Sequence, residues 1–225
     1  MIPEKNQKYF SEKIAYLPTY QVNDSTQSPP EIFFTRQDLG LPEEGFVFCC
    51  FNNTFKITPT SFDSWGRILE KVEGSVLLIY VDNESAKLNL TKEIALRGID
   101  PSRLIFGKRL PKHEYLARYR VADLFLDTHP YNAGTTASDA LRMGLPVLTC
   151  IGNSFASRMG ASVINAVNLP ELITTTQKEY ESLAIELATH PERLKIIKDK
   201  LASNLPTAPL YDTPLFTQHL ESAYR

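Results

Sequence analysis

The sequence has few of the residues that build disulfide or metal sites. Its 225 residues include three cysteines and four histidines, and Cys49 and Cys50 are adjacent whereas Cys150 lies far along the chain. No two cysteines form a C-x-x-C pair, and the scattered histidines lack metal-ligand spacing. We therefore predict no metal site and no metal cofactor, and we expect the three thiols to be buried in strands as small apolar side chains.

The sequence also lacks a long apolar run and an excess of charge of one sign. No segment approaches the roughly 20 apolar residues that a membrane-spanning helix requires. The formal net charge is −2 and basic residues form no stripe, so neither a membrane nor a nucleic acid is an expected partner. The amino-terminal segment carries charges where a signal peptide has its apolar stretch, which indicates a cytoplasmic protein.

Short continuous apolar runs recur from Gly45 onward. The runs that we predict as strands are FVFCCF, SVLLIYV, RLIFG, ADLFLD and PVLTC. Continuous apolarity is typical of parallel strands that helices cover on both faces. Because longer segments of helical period separate the runs, the sequence predicts an α/β fold with a doubly wound parallel sheet.

Two of the intervening segments predict amphipathic helices. The first, TPTSFDSWGRILEKV, has an apolar stripe of Phe62, Trp65, Ile68, Leu69 and Val72. The second, NESAKLNLTKEIALRGI, offers Leu88, Ile94 and Leu96 as apolar residues, and Gly98 is placed to end the helix.

The two ends of the chain differ from this middle part. Residues 1–44 contain several prolines and little regular period, so we predict an amino-terminal arm and linker there. Residues 45–225 are predicted to form the sheet domain, and their last part consists of helical segments separated by prolines. We expect this carboxyl-terminal helical tail to pack across the sheet domain.

Polar and cationic residues follow three of the predicted strands. These residues are Asn53 and Lys56 after the first strand, Lys112, Tyr115 and Arg118 after the third, and Gly134, Thr135 and Thr136 after the fourth. The carboxyl ends of parallel strands share one edge of a sheet, which is where ligands of such folds bind. Cations, an aromatic ring and the amino terminus of a helix suit a nucleoside diphosphate.

A purely structural interpretation of the same residues remains open at this point. Thr136 and Asp139 have the T-x-x-D spacing of a helix capping box, which needs no ligand. Lys56 alone is typical of a solvated surface charge, and Lys112 and Arg118 alone could form the exposed face of a helix. The prediction of a site depends on their being brought together at one edge.

Several motifs, in order and at matching intervals, resemble a known family. The motifs are FCCFNNTFKITP, LPKHEYLARYRVADLFLDT, YNAGTTASDAL with GLPVLTC, and SFASRMGASVINAVNLPELI. Over nearly the whole chain they resemble the carboxyl-terminal half of the catalytic region of the O-linked N-acetylglucosamine transferases and the Spindly-like glycosyltransferases. The resemblance implies a Rossmann-like half of a GT-B glycosyltransferase that binds a UDP-sugar, with UDP-GlcNAc as the expected donor and a metal-independent, inverting transfer to Ser or Thr of a protein acceptor.

The resemblance implies that one group of residues contacts the diphosphate. Lys56 is expected to be catalytic, because it would stabilise the departing UDP, and Asn53 would lie beside it. The backbone of Thr135 and Thr136 would bind phosphate oxygens. The family usually has histidine at the position of Gly134, and animal members have glutamine at the position of Asn53, so this part of the site departs from the pattern.

A second group is implied to contact the nucleoside. Lys112 and Asp139 would hold the ribose, and Arg118 and Tyr115 would flank the uracil. Tyr115 stands where the family usually has histidine, and a tyrosine ring can still stack on a base.

The length of the chain restricts these expectations. A complete transferase with its tetratricopeptide repeats does not fit in 225 residues. We therefore expect a fragment that lacks the amino-terminal catalytic half and does little chemistry alone. Two other hypotheses remain: a nucleotide-binding module without catalysis, and a Rossmann domain with a structural role only.

Overall fold

A six-stranded parallel sheet forms the centre of the protein. The computed structural model describes residues 1–21 and 23–225. The strands are β1 (Val47–Cys50), β2 (Val76–Tyr80), β3 (Leu104–Gly107), β4 (Leu124–Leu126), β5 (Val147–Cys150) and β6 (Ile173–Thr174). Their spatial order is β3-β2-β1-β4-β5-β6, and every paired strand is parallel to its neighbour. The predicted α/β, Rossmann-like fold class is confirmed.

The helices alternate with these strands and continue beyond the last one. They are α1 (Pro59–Lys71), α2 (Glu84–Leu96), α3 (Lys112–Ala117), α4 (Thr135–Arg142), α5 (Met159–Ala166), α6 (Gln177–Thr189), α7 (Pro191–Asn204) and α8 (Thr213–Tyr224). The strand order reverses between β1 and β4, which are neighbours in the sheet although two strands separate them in the chain. This reversal opens a crevice beyond the carboxyl ends of β1 and β4.

Helix α1 forms as the sequence predicts. The Thr58 side chain accepts a hydrogen bond from the Ser61 amide, and Pro59 occupies the first helical position, where its missing N–H group costs nothing. All five residues of the predicted apolar stripe are buried. One of them, Trp65, donates from Nε1 to the hydroxyl of Tyr180 on α6 at 3.2 Å, which ties the carboxyl-terminal helices to this face of the sheet.

The predicted apolar face of α2 is wrong in part. Ile94 is completely buried, whereas Leu88 is 55% exposed and Leu96 is 79% exposed. Leu88 and Ile94 are six positions apart, which is about 240° around an α-helix, so the two side chains point in different directions. The helix begins at its Asn83 cap and ends before Gly98, whose φ of 76° favours glycine.

The arm and the tail pack against the sheet domain and against each other. Arg142 on α4 donates to the carbonyls of Asp24 and Gln27 in the arm. Thr213 at the start of α8 donates to the Asn23 carbonyl at 2.7 Å. Helix α6 packs on α1, and α7 buries Leu194, Ile197 and Leu201. Within the described residues, α8 has no buried side chain and no helix is long and apolar enough to cross a membrane.

The three cysteines are free and buried, as the sequence predicts. Cys49 and Cys50 lie in β1, and Cys150 ends β5. Burial raises the pKa of all three thiols, so they remain protonated apolar side chains. Among the described residues, no group of three or more histidine, cysteine, aspartate or glutamate side chains could hold a metal ion.

Candidate functional site

The crevice at the sheet edge is organised by a buried carboxylate that the sequence analysis did not single out. Asp127 follows β4 directly and is 3% exposed. Its Oδ1 atom accepts hydrogen bonds from the amides of Thr128 and Ala133 at 2.8 and 2.7 Å, and its Oδ2 atom accepts one from the Thr149 hydroxyl at 2.6 Å. These bonds shape the loop between β4 and α4. Burial raises the pKa of Asp127 to about 6, although the hydrogen bonds act in the opposite direction.

Asn52 connects this carboxylate to the helix that follows. Its Nδ2 atom donates to Asp127 Oδ1 at 3.1 Å and to the Thr128 hydroxyl at 2.8 Å, and its Oδ1 atom accepts a hydrogen bond from the Thr136 hydroxyl. The predicted residue Asn53 is instead exposed and accepts from the Phe55 amide of its own turn. Asn52 and Asp127 could have been found in the sequence, because each is a polar residue next to the carboxyl end of an apolar run.

The amino terminus of α4 faces the crevice without the predicted cap. The helix begins at Thr135, its cap residue is Gly134, and no side chain satisfies the first amides. The Thr136 hydroxyl is bonded to Asn52, so the T-x-x-D capping box considered above does not form. The first N–H groups of a helix have no partner within it and lie at the positive end of its dipole. The backbone of Thr135 and Thr136 can therefore bind an anion.

Lys56 lies on the β1 side of the same crevice. Its ammonium donates to the Asn132 carbonyl at 3.0 Å and lies 3.9 Å from the ring centroid of Tyr131. Partial burial lowers the pKa of Lys56, while the nearby charge of Asp127 raises it. Because Asn132 precedes the α4 amino terminus by only three residues, Lys56 and the helix end approach the same edge from two sides.

A cleft of about 220 Å³ adjoins the start of α4 and contains three predicted residues, Tyr115, Arg118 and Thr136. Arg118 is 3% exposed, and its guanidinium carbon lies 3.8 Å from the ring centroid of Phe51 and 4.7 Å from that of Tyr115. Burial lowers the pKa of Arg118. Arg118 forms no ion pair within the described part of the chain. An unpaired guanidinium that lines a cleft among aromatic rings is suited to a flat polar ligand.

Asp139 and Lys112 lie near each other and near Tyr115 of this cleft. Asp139 is on α4, one turn after Thr136, and burial raises the pKa of its carboxyl group. The nearby Tyr115 hydroxyl and the positive charge of Lys112 lower the same pKa. Lys112 begins α3 and is exposed. The Tyr115 hydroxyl is also bonded to that of Tyr119, which donates to the Thr136 carbonyl at 3.2 Å. The structure thus brings eight of the nine predicted residues to one edge, and Asn53 remains on the solvent side of its turn.

Comparison with models of protein families identifies the family of this chain. Residues 21–220 match the model of glycosyl transferase family 41. The chain belongs to this family. Within family 41, the protein is 32% identical over 222 residues to the probable UDP-N-acetylglucosamine–peptide N-acetylglucosaminyltransferase SEC of Arabidopsis thaliana, a match that covers 96% of this chain and 23% of the plant protein.

Two further comparisons agree with the family 41 assignment. A UDP-N-acetylglucosamine–peptide N-acetylglucosaminyltransferase of Caenorhabditis elegans is 34% identical over 194 residues, which cover 86% of this chain and 17% of the nematode protein. An O-GlcNAc transferase mutant from Thermobaculum terrenum superposes with a TM-score of 0.82 and 28% identity over 99% of this chain and 42% of that chain. The protein therefore spans only 23% of the length of the Arabidopsis thaliana relative and 17% of that of the Caenorhabditis elegans relative.

More distant solved structures share only the fold with this family 41 protein. HepE of Anabaena, solved in complex with UDP and glucose, superposes with a TM-score of 0.64 at 16% identity and is covered to 56% of its length. Together with the Thermobaculum terrenum match, this likeness identifies the α/β domain as one half of a GT-B glycosyltransferase fold.

Proposed function

We propose that this domain binds the UDP moiety of a UDP-sugar, with UDP-GlcNAc as the expected donor, for an inverting and metal-independent protein O-GlcNAc transferase. In this proposal residues 45–225 form the donor-binding domain and residues 1–44 form an arm and linker. The acceptor half, the tetratricopeptide repeats and the Ser or Thr acceptor protein are contributed from outside this chain.

The observation that carries the proposal is the placement of three kinds of group along one edge. Lys56 and the free amides at the start of α4 offer positive charge for a diphosphate. The cleft next to them combines Arg118 with the ring of Tyr115, which suits a uracil base. Because the cleft adjoins the start of α4, one nucleotide can reach both groups, with its ribose held by Lys112 and Asp139 in this proposal.

The chemistry requires a stabilised leaving group. A Ser or Thr hydroxyl attacks the anomeric carbon of the sugar and passes its proton to a base of the acceptor half, the bond from that carbon to the β-phosphate oxygen breaks, and the electron pair of that bond leaves with UDP as negative charge. Lys56 and the amino terminus of α4 face the position where that charge develops, and preorganised donors of this kind are an effective means of lowering a barrier. In this scheme Lys56 is the catalytic residue of the chain.

A second candidate function is a nucleotide-binding module without catalysis. It is favoured by Gly134, which offers no side chain to the phosphates and leaves the nearby space to the terminal methyl group of Met159. Such a module would bind UDP but would not transfer sugar after addition of an amino-terminal half from a relative. A Rossmann domain with only a structural role would bind no nucleotide.

Calorimetry with UDP tests the proposal. We expect Lys56→Met to weaken UDP binding about 10- to 100-fold, since hydrogen bonds to charged groups contribute about 1.5–3 kcal/mol. Lys87→Met is the matched control, because the Lys87 ammonium also lies over an aromatic ring, that of Phe106 at 5.7 Å, but on α2. Absence of UDP binding by the unmodified protein at about 1 mM, or an equal loss in both variants, would refute the proposal.

A further inference from the structure

A series of hydrogen bonds that begins at a backbone carbonyl determines which atoms donate and which accept at the start of α4. The Thr128 hydroxyl lies 2.6 Å from the carbonyl oxygen of Tyr131. A carbonyl oxygen only accepts hydrogen bonds, so Thr128 must donate its single hydroxyl proton there. Any other polar group that contacts Thr128 Oγ1 must therefore be a donor.

The orientation of the Asn52 amide follows from this. The atom of Asn52 that lies 2.8 Å from Thr128 Oγ1 must be the NH₂ group, because an amide oxygen there would face a hydroxyl with no proton left. The same NH₂ group faces the Asp127 carboxylate at 3.1 Å, which independently requires a donor. The Asn52 oxygen consequently points towards Thr136.

Thr136 is the last residue in this series of hydrogen bonds. Its Oγ1 atom contacts the Asn52 amide oxygen, and since that oxygen only accepts, Thr136 must donate its hydroxyl proton to Asn52. The Thr136 hydroxyl then has only lone pairs for a further partner. An ionised phosphate oxygen also has only lone pairs, so it is repelled by this atom and can be bound here by N–H groups alone.

We infer that Thr136 is a specificity-determining residue whose Oγ1 atom accepts a hydrogen bond from a ribose hydroxyl of the nucleotide. The inference rests on the proposed function, because it assigns a part of the nucleotide to this position. Thr136 lines the cleft that contains Tyr115 and Arg118. Asp139 is three residues further along α4, so its carboxylate shares a helix face with Thr136.

Two neighbouring acceptors match the two ribose hydroxyls better than the other parts of UDP. The Thr136 hydroxyl offers only lone pairs and the Asp139 carboxyl group adds acceptor oxygens one turn further on, whereas the two adjacent ribose hydroxyls offer two donors. The diphosphate has no donor at neutral pH, and uracil has a single N–H group. In this inference the backbone amide of Thr136 faces the phosphate, and the side chain of Thr136 faces the ribose.

Calorimetry with three ligands and three proteins tests the inference. UDP, 2′-deoxy-UDP and 3′-deoxy-UDP are titrated into the unmodified protein, Thr136→Val and Thr136→Ser. We expect Thr136→Val, which removes the hydroxyl at nearly constant shape, to weaken UDP binding about three- to tenfold. For one of the two deoxy analogues, the valine variant and the unmodified protein should bind equally well. Thr136→Ser keeps the hydroxyl and should retain the preference for UDP.

Two results would overturn the inference while leaving the proposed function intact. The first is an equal loss in Thr136→Val for UDP and for both deoxy analogues, which would place the hydroxyl next to another part of the ligand. The second needs no variant: if the unmodified protein binds both deoxy analogues as tightly as UDP, no ribose hydroxyl is recognised. If the unmodified protein binds none of the three ligands, the proposed function itself fails, and the inference fails with it.

Discussion

A Cβ atom placed on Gly134 would lie 2.7 Å from Cε of Met159, so the Met159 side chain occupies the space that a larger residue at position 134 would need. The hydroxyl of Tyr20, from the arm, would lie 3.0 Å from the same Cβ atom. The terminal methyl group of Met159 and the Tyr20 hydroxyl therefore crowd the residue that caps α4.

We predict that Gly134→Ala lowers the free energy of unfolding by about 1 kcal/mol, the low end of the usual cost of overpacking, because the contacting atom is the end of a flexible side chain. In a Met159→Ala background the same substitution should cost less than half as much, because the terminal methyl group of Met159 is then absent. Thermal or denaturant unfolding of the four proteins measures this coupling. Additive effects of the two substitutions would show that Met159 does not restrict this position.

Helix α2 offers a matched pair of substitutions for testing how burial differs within one helix. Ile94 is completely buried and Leu96 is 79% exposed, although both are apolar and two positions apart. We predict that Ile94→Ala costs about 2–5 kcal/mol of stability and that Leu96→Ala changes it by less than about 0.5 kcal/mol. Denaturant unfolding distinguishes the two, and similar losses for both would contradict the placement of α2 on the sheet.

The sequence allows the main strands to be predicted because they are continuous apolar runs, and β1 to β5 lie within the predicted segments. Strand β6 was missed, since Ile173–Thr174 is too short to form such a run, and it is defined only by pairing with β5. The prediction for the apolar face of α2 is wrong in part because Leu88 and Ile94, although both apolar, lie on different faces of the helix.

In the site as well, features that depend on the local sequence could be predicted, and features that depend on distant residues could not. The cationic and aromatic residues could be found because each follows a strand. The sequence marks both Asn52 and Asn53 as polar residues after an apolar run, but which of them faces the site depends on the position of Asp127, 75 residues further on from Asn52. The capping box at Thr136 does not form, because the helix begins one residue earlier and the Thr136 hydroxyl is bonded to the distant Asn52 amide.

The buried Asp127 predicts a characteristic pH dependence of stability. Burial raises the pKa of Asp127 to about 6, whereas an aspartate in an unfolded chain has a pKa of about 3.9. The folded state thus binds this proton more tightly. Its contribution to stability is fully present below about pH 4 and is lost as the pH rises through about 6.

Asp127→Asn removes this titration, so we predict that the stability of the unmodified protein relative to the variant falls by about 2 kcal/mol between pH 4 and pH 7. The variant can keep the hydrogen bonds that Asp127 Oδ1 accepts, and its NH₂ group can donate to the Thr149 hydroxyl after that hydroxyl rotates. Urea unfolding at several pH values gives the two curves. Parallel curves would mean that Asp127 titrates at its ordinary pKa.

The Arg118 guanidinium forms no ion pair among the described residues, and its Nη1 atom donates to the Lys108 carbonyl at 3.1 Å. Its substitution can test base binding separately from phosphate binding. Arg118 is 3% exposed, its Nε atom has no hydrogen-bond partner among residues 1–21 and 23–225, and its cleft lies to the side of Lys56 and the α4 amino terminus. If it contacts the uracil, we predict that Arg118→Met weakens UDP binding about tenfold but leaves the binding of inorganic pyrophosphate unchanged. Lys56→Met should weaken both.

Arg109→Met is the matched control for the Arg118 experiment, because Arg109 lines the same cleft but its side chain is exposed. Its loss should change UDP affinity by no more than about twofold, as expected for a solvated charge. Arg118→Met should also remain folded, since replacing a buried charge that lacks an ionic partner by an apolar side chain is often neutral or stabilising. Competition titrations with UDP and pyrophosphate on all the variants provide the comparison, and equal losses of both ligands in Arg118→Met would place this guanidinium at the phosphates and not at the base.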